Sequence, residues 1–270
     1  MTGEDFHGGW FRRLYQPSNP AGLALALGIA LALIAVNQLL QWLLAGVTVR
    51  ALFGSSSDNL RDFVKASLVV IFPASLATAA LAVYLARLGG GDARDVLCLR
   101  WPKLGGLGWL LLAGGFMVAM YGTLIAIVML LGIDPAEYTP GPEGQSPETG
   151  SAGLVKEAMF EIANTPWLFL LVFPSVSLGA PIAEEMIFRG QLFSALSQTR
   201  LGVSGTTVIT AALWALMHVT ETWLSVGLIF IMGLAFGWMM YRFGSLWVPM
   251  ICHGLWNTMF ALAIFGSVGQ

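Results

Sequence analysis

Long apolar stretches broken by short loops of Gly, Arg and Asp run through the chain. Seven of them approach the roughly 20 residues that a helix needs to cross a bilayer. They are residues 21–47, 66–88, 105–132, a run from Pro166 past Pro181 into a polar cluster at Glu184, a shorter stretch at 206–219, then 223–241 and 248–265. No stretch alternates with the period of two that a barrel strand requires, and no long repeat is visible. The pattern predicts an all-α polytopic membrane protein, a bundle of about seven (seven to eight) transmembrane helices. The extra helix would fall at residues 153–163, where Lys156, Glu157 and Glu161 suggest an amphipathic surface helix.

The first stretch is about 27 residues long, beyond the 7–15 of a secretory h-region, and reads as a retained anchor. Trp10, Phe11, Arg12, Arg13, Leu14 and Tyr15 before it read as an interfacial lead-in, with aromatics at headgroup level. Four regions follow: an interfacial N-terminus at 1–20, a three-helix scaffold half at 21–132, an external loop with a short amphipathic helix at 133–165, and a C-terminal half at 166–270. The Lys and Arg positions set an orientation. With the N-terminus inside, Arg12, Arg13, Arg87, Arg94, Arg100, Lys103, Arg189, Arg200 and Arg242 lie in cytoplasmic segments, against Arg50, Arg61, Lys65 and Lys156 outside. Nine against four predicts a cytoplasmic N-terminus in a multi-pass cell-membrane protein.

Composition narrows the class. Apolar residues make up 57% of the 270 and charged residues only 10%, with a mean hydropathy of +0.76. Soluble domains carry about 25% charge, so this chain has too little to cover a water-facing surface. The net charge of −2 leaves no basic excess for nucleic acid. Cys98 and Cys252 form neither a CxxC pair nor a disulfide framework.

An ionisable group inside a span costs roughly 2.5–3.5 kcal/mol on insertion scales and is a functional candidate by default. Such groups fall in three places, all in the second half. In Glu184-Glu185-Met186-Ile187-Phe188-Arg189, Glu185 and Arg189 are i and i+4 and can pair on one helix face. Glu184, about 100° away, is left for proton chemistry. His218 ends an apolar run, where a lone histidine also serves as a cap. His253 and Asn257 are i and i+4 in the last span. They suit either an oxyanion site or hydrogen bonding between helices. Competing signatures fail. There is no HExxH and no GxSxG. Gly89, Gly90, Gly91 and Asp92 match a GxGD pattern, but no second aspartate lies inside a span, and the segment reads as a loop.

The three places, in this order, resemble the EExxxR, FxxxH and HxxxN motifs of the CPBP family of CAAX proteases and bacteriocin-processing (Abi) enzymes, intramembrane peptidases related to the Ras-converting endopeptidase. Glu184, Glu185 and Arg189 match the first motif. His218 matches the second, with Trp214 where the motif has phenylalanine. His253 and Asn257 match the third. The resemblance covers about residues 170–265. It implies an endopeptidase whose catalytic half is 166–270, with the active site inside the bundle, in which Glu184 and His218 activate water, His253 and Asn257 hold the oxyanion, and Glu185 and Arg189 support Glu184. Two mechanisms stay open. Glu184, His218 and His253 form a one-carboxylate, two-histidine set of the kind that holds zinc in metalloproteases. The same four residues also suffice without a cofactor. The implied partners are the lipid bilayer and a membrane protein or peptide substrate, with no nucleic acid. Arg outnumbers Lys ten to three, which suggests a bacterial source. The alternative is a non-proteolytic member acting in binding, immunity or assembly.

Overall fold

The computed structural model describes residues 14–16, 18–133 and 151–267. Nine helices are formed among them: α1 (Leu23–Phe53), α2 (Leu60–Leu88), α3 (Ala93–Val96), α4 (Gly106–Leu131), α5 (Ser151–Ala163), α6 (Pro166–Leu196), α7 (Gly202–Leu216), α8 (Trp223–Phe243) and α9 (Trp247–Ser267). Six of these, α1, α2, α4, α6, α8 and α9, are long and apolar enough to cross a membrane, and α7 is a shorter apolar helix. The chain is a multi-pass helical membrane protein. Leu110, Val118 and Leu130 of α4 are largely exposed, as expected where the solvent is hydrocarbon.

Several boundaries differ from the expectations. The fourth run does not end at the polar cluster but continues to Leu196. The fifth helix spans Gly202–Leu216 rather than 206–219, so His218 lies in the turn beyond its end. The helix expected at 153–163 forms as α5. It is docked rather than free on the surface: Ala158, Met159, Ile162 and Ala163 are buried, while Arg61 of α2 bonds Glu157 and Glu161. The rest of the loop expected to be external, 134–150, lies outside the described residues, as do Trp10, Phe11, Arg12 and Arg13. Tyr15 is packed into the bundle. It is 1% exposed, its ring edge meets Phe193, and its hydroxyl lies 3.0 Å from that of Ser197. Gly244 ends α8 with φ +58, and a Cβ there would meet the Leu14 carbonyl oxygen at 2.9 Å. Only glycine permits both the left-handed turn and that approach. Asp92 caps α3 by accepting from the Arg94 N–H, so the GxGD segment is a helix start in a loop.

Prolines shape the centre of the bundle. Pro73 gives α2 no N–H, so the Val69 carbonyl loses its partner one turn later. Ser175 of α6 closes the gap: its hydroxyl donates to Val69 O at 2.8 Å and accepts from the Phe72 N–H at 3.2 Å. Gly179 lets the two helices approach, since a Cβ there would meet Phe72 Cα at 2.8 Å. In α6, Ser175–Gly179 winds as a π-helix, with the Ala180 N–H reaching Ser175 O. In that register the next donor would be Pro181, which has none. Val176 O takes its bond from Asn257 Nδ2 of α9 instead, at 3.0 Å. A second π segment, Met186–Leu192, follows the glutamate pair.

Candidate active site

Glu184 and Glu185 end the α-helical stretch between the two π segments, and their different phases send them into different surroundings. Glu185 is fully buried. Its Oε1 accepts from Arg189 Nη1 at 3.1 Å and lies 3.0 Å from His253 Nδ1. A carboxylate only accepts, so the His253 proton sits on Nδ1 and points at Glu185. Arg189 is also fully buried. Its Nε and Nη2 have no hydrogen-bond acceptor among the described residues. Aromatic faces cover the cation, with the guanidinium 4.4 Å from the Trp214 ring centroid and 5.3 Å from that of Phe236. Gly233 of α8 makes room, because a Cβ there would lie 3.1 Å from Arg189 Nη2. Glu185, Arg189 and His253 thus form a closed, charge-compensated cluster.

Glu184 instead lines a cavity of about 160 Å³ bounded by α1, α2, α6, α7 and the turn after α7. His218 lines the same cavity. Trp214 orients both. Its indole N–H donates to Glu184 Oε2 at 2.5 Å, and its carbonyl oxygen lies 2.9 Å from His218 Nδ1. A carbonyl cannot donate, so Nδ1 carries the proton and His218 Nε2 is the basic nitrogen. The Trp214 ring also packs edge-on against His253, with centroids 5.1 Å apart.

Of the four residues expected to act together, Glu184 and His218 share the cavity. His253 is buried behind Trp214 on Glu185, and Asn257 is tied to Val176. Neither lines the cavity. The zinc set is not assembled: no three His, Cys, Asp or Glu side chains among the described residues are grouped to hold one ion. His253 lies on the Glu185 side of Trp214 and does not line the cavity that holds Glu184 and His218, so the three expected donors do not converge. Cys98 offers no alternative nucleophile, since burial pushes its thiol up to about 12.

Sequence reasoning missed part of the site. Asn37, Gln38 and Gln41 of α1 and Ser75 of α2 line the cavity, so the first half is more than a scaffold. The signal was three carboxamides near the middle of an apolar span.

The class is therefore a polytopic helical membrane protein with a carboxylate–histidine pair on an internal cavity. Residues 166–259 match the family model described as Type II CAAX prenyl endopeptidase Rce1-like, so the C-terminal part of the chain carries an Rce1-like domain. This agrees with the family resemblance of its three motifs. No curated protein and no solved structure matched the chain significantly.

Proposed function

We propose that the chain is an intramembrane endopeptidase that uses Glu184 and His218 to activate water. The observation that carries this reading is the shared cavity. There the Glu184 carboxylate is held through Oε2 by Trp214, which leaves Oε1 for water, and His218 has its basic Nε2 free. Glu184 takes a proton as the water oxygen attacks the scissile carbonyl. The same proton then passes to the departing amine, so the carboxylate is restored. His218 Nε2 accepts a hydrogen bond from the water's second O–H, which stays on the attacking oxygen, and fixes the attack direction. Glu185, Arg189 and His253 hold α6 and α9 in place and do not touch the reacting atoms. Asn257 keeps one amide hydrogen beyond its bond to Val176 O.

The family description points to a prenylated C-terminal peptide as the first substrate class to try, with other membrane peptides second. A cytoplasmic N-terminus and a bacterial source complete the reading. Purified full-length protein should cleave a farnesylated CaaX peptide, with fragments read by mass spectrometry, and Glu184→Ala should not. Loss of the difference between the two would leave a non-proteolytic binding role. For the orientation, a membrane-impermeant thiol probe on intact cells should label cysteine substitutions for Lys156 but not for Arg94. The reverse pattern would invert it.

A further inference from the structure

We infer that α1 and α2 form the substrate-binding wall of this cavity, where the amides of Asn37, Gln38 and Gln41 and the Ser75 hydroxyl hydrogen-bond the backbone of an extended peptide segment. The inference rests on the peptidase reading and names how that site would hold its substrate.

Asn37 and Gln41 are i and i+4, and Gln38 and Gln41 are i and i+3, so the three amides share a face near the middle of the 31-residue α1. All three line the cavity that Glu184 and His218 line, Asn37 and Gln41 half-buried and Gln38 exposed at its edge. Polar groups at membrane depth persist where they find partners or line a cavity. Gln38 and Gln41 have no hydrogen bond to any described residue. Ser75 is fully buried, and its hydroxyl has no partner although it lines the cavity. Asn37 is already oriented: its Oδ1 accepts from the Thr78 hydroxyl at 3.0 Å. Its N–H groups therefore remain for the cavity.

The chemistry of the wall selects its ligand. Carboxamides carry both a donor and an acceptor and no charge, which matches the C=O and N–H of a peptide unit. No cation lines the cavity, and Glu184 would repel an anion. A peptide must be extended for its scissile bond to be attacked, and an extended peptide exposes backbone groups that hydrocarbon cannot satisfy. Ile34, Ile71, Ile187 and Met217 supply apolar surface between the polar positions.

The test measures binding, so it does not depend on turnover. A fluorescein-labelled farnesylated CaaX peptide is titrated against the full-length Glu184→Gln protein in detergent, with and without Gln38→Met and Gln41→Met. These two substitutions keep side-chain length, and neither removes a hydrogen bond within the protein. The double substitution should weaken binding about tenfold, since each lost hydrogen bond is worth a few-fold. N-methylation of the peptide amides flanking the scissile bond should weaken binding to the parent but not to the doubly substituted protein. Asn37→Leu serves as a second variant with the same expected direction. Equal binding with and without the amides, an N-methyl effect that persists in the doubly substituted protein, or no binding to the parent would each overturn the inference. If wild type cleaves while binding ignores the amides, the peptidase reading stands and the wall does not. If binding needs the amides but wild type never cleaves, the wall stands and the hydrolase does not.

Discussion

The two sides of Trp214 hold nearly the same chemical groups and put them to opposite use. On one side, Glu185, Arg189 and His253 are sealed. Every charge has a counter-charge or an aromatic face, and Glu185 Oε1 serves two partners. On the other, Glu184 and His218 open on a cavity. Each glutamate has one oxygen bonded within the protein, but Glu185 Oε2 is buried without a partner, whereas Glu184 lines space that can hold water. Consecutive glutamates thus acquire different roles from one step of helical phase. What separates the two carboxylates is access: the unbonded oxygen of Glu185 is sealed in the cluster, whereas Glu184 lies beside a basic nitrogen on a cavity.

Substitutions on the sealed side should act on stability. Glu185→Gln leaves the buried Arg189 without its charge partner and should cost about 3–5 kcal/mol, seen as a large drop in the detergent melting temperature. A melting temperature equal to wild type would show that the cluster is not compensated as described. Trp214→Phe keeps the aromatic face over Arg189 but removes the N–H held by Glu184. Losing a hydrogen bond to a charged group is worth about 1.5–3 kcal/mol, so turnover should fall roughly 10–100-fold while KM changes little. A KM effect alone would mean that Trp214 contacts substrate instead.

Ser175→Ala strands the Val69 carbonyl and the Phe72 N–H opposite Pro73. It should lower stability by about 1–3 kcal/mol in a thermal scan without altering the pH dependence of cleavage. The smallest effect belongs to Arg61→Ala, which removes two exposed ion pairs between α2 and α5 and leaves Lys65 on Glu161. Each exposed pair should contribute under about 1 kcal/mol and lose its contribution in high salt, so the difference in melting temperature from wild type should shrink as ionic strength rises.

Much of the bundle was legible because hydrocarbon imposes a simple rule on span length and composition, and six of the expected spans are long helices. The pairing of Glu185 with Arg189 was also legible, since it is local and obeys helical spacing. His253 joining that pair was not, because it arrives from α9 and depends on how α6 and α9 pack. The same holds for Asn257. Its spacing from His253 fits a shared face, yet its partner is a carbonyl orphaned by Pro181 on another helix, through a π register that no residue pattern announces. The α1 amides carry no charge, so attention to ionisable groups passed over them. Trp214 reads as a phenylalanine substitute until its N–H is seen at Glu184.

The central claim is that Glu184, not Glu185, is the working carboxylate. Cleavage and thermal unfolding of Glu184→Gln, measured beside wild type on the same preparations, test it most directly. The amide keeps the shape and the bond from Trp214 but cannot take a proton. Turnover should fall by about 10²–10⁴-fold or more with an unchanged melting curve. Wild-type cleavage by Glu184→Gln would contradict the account and leave the cavity as a binding site.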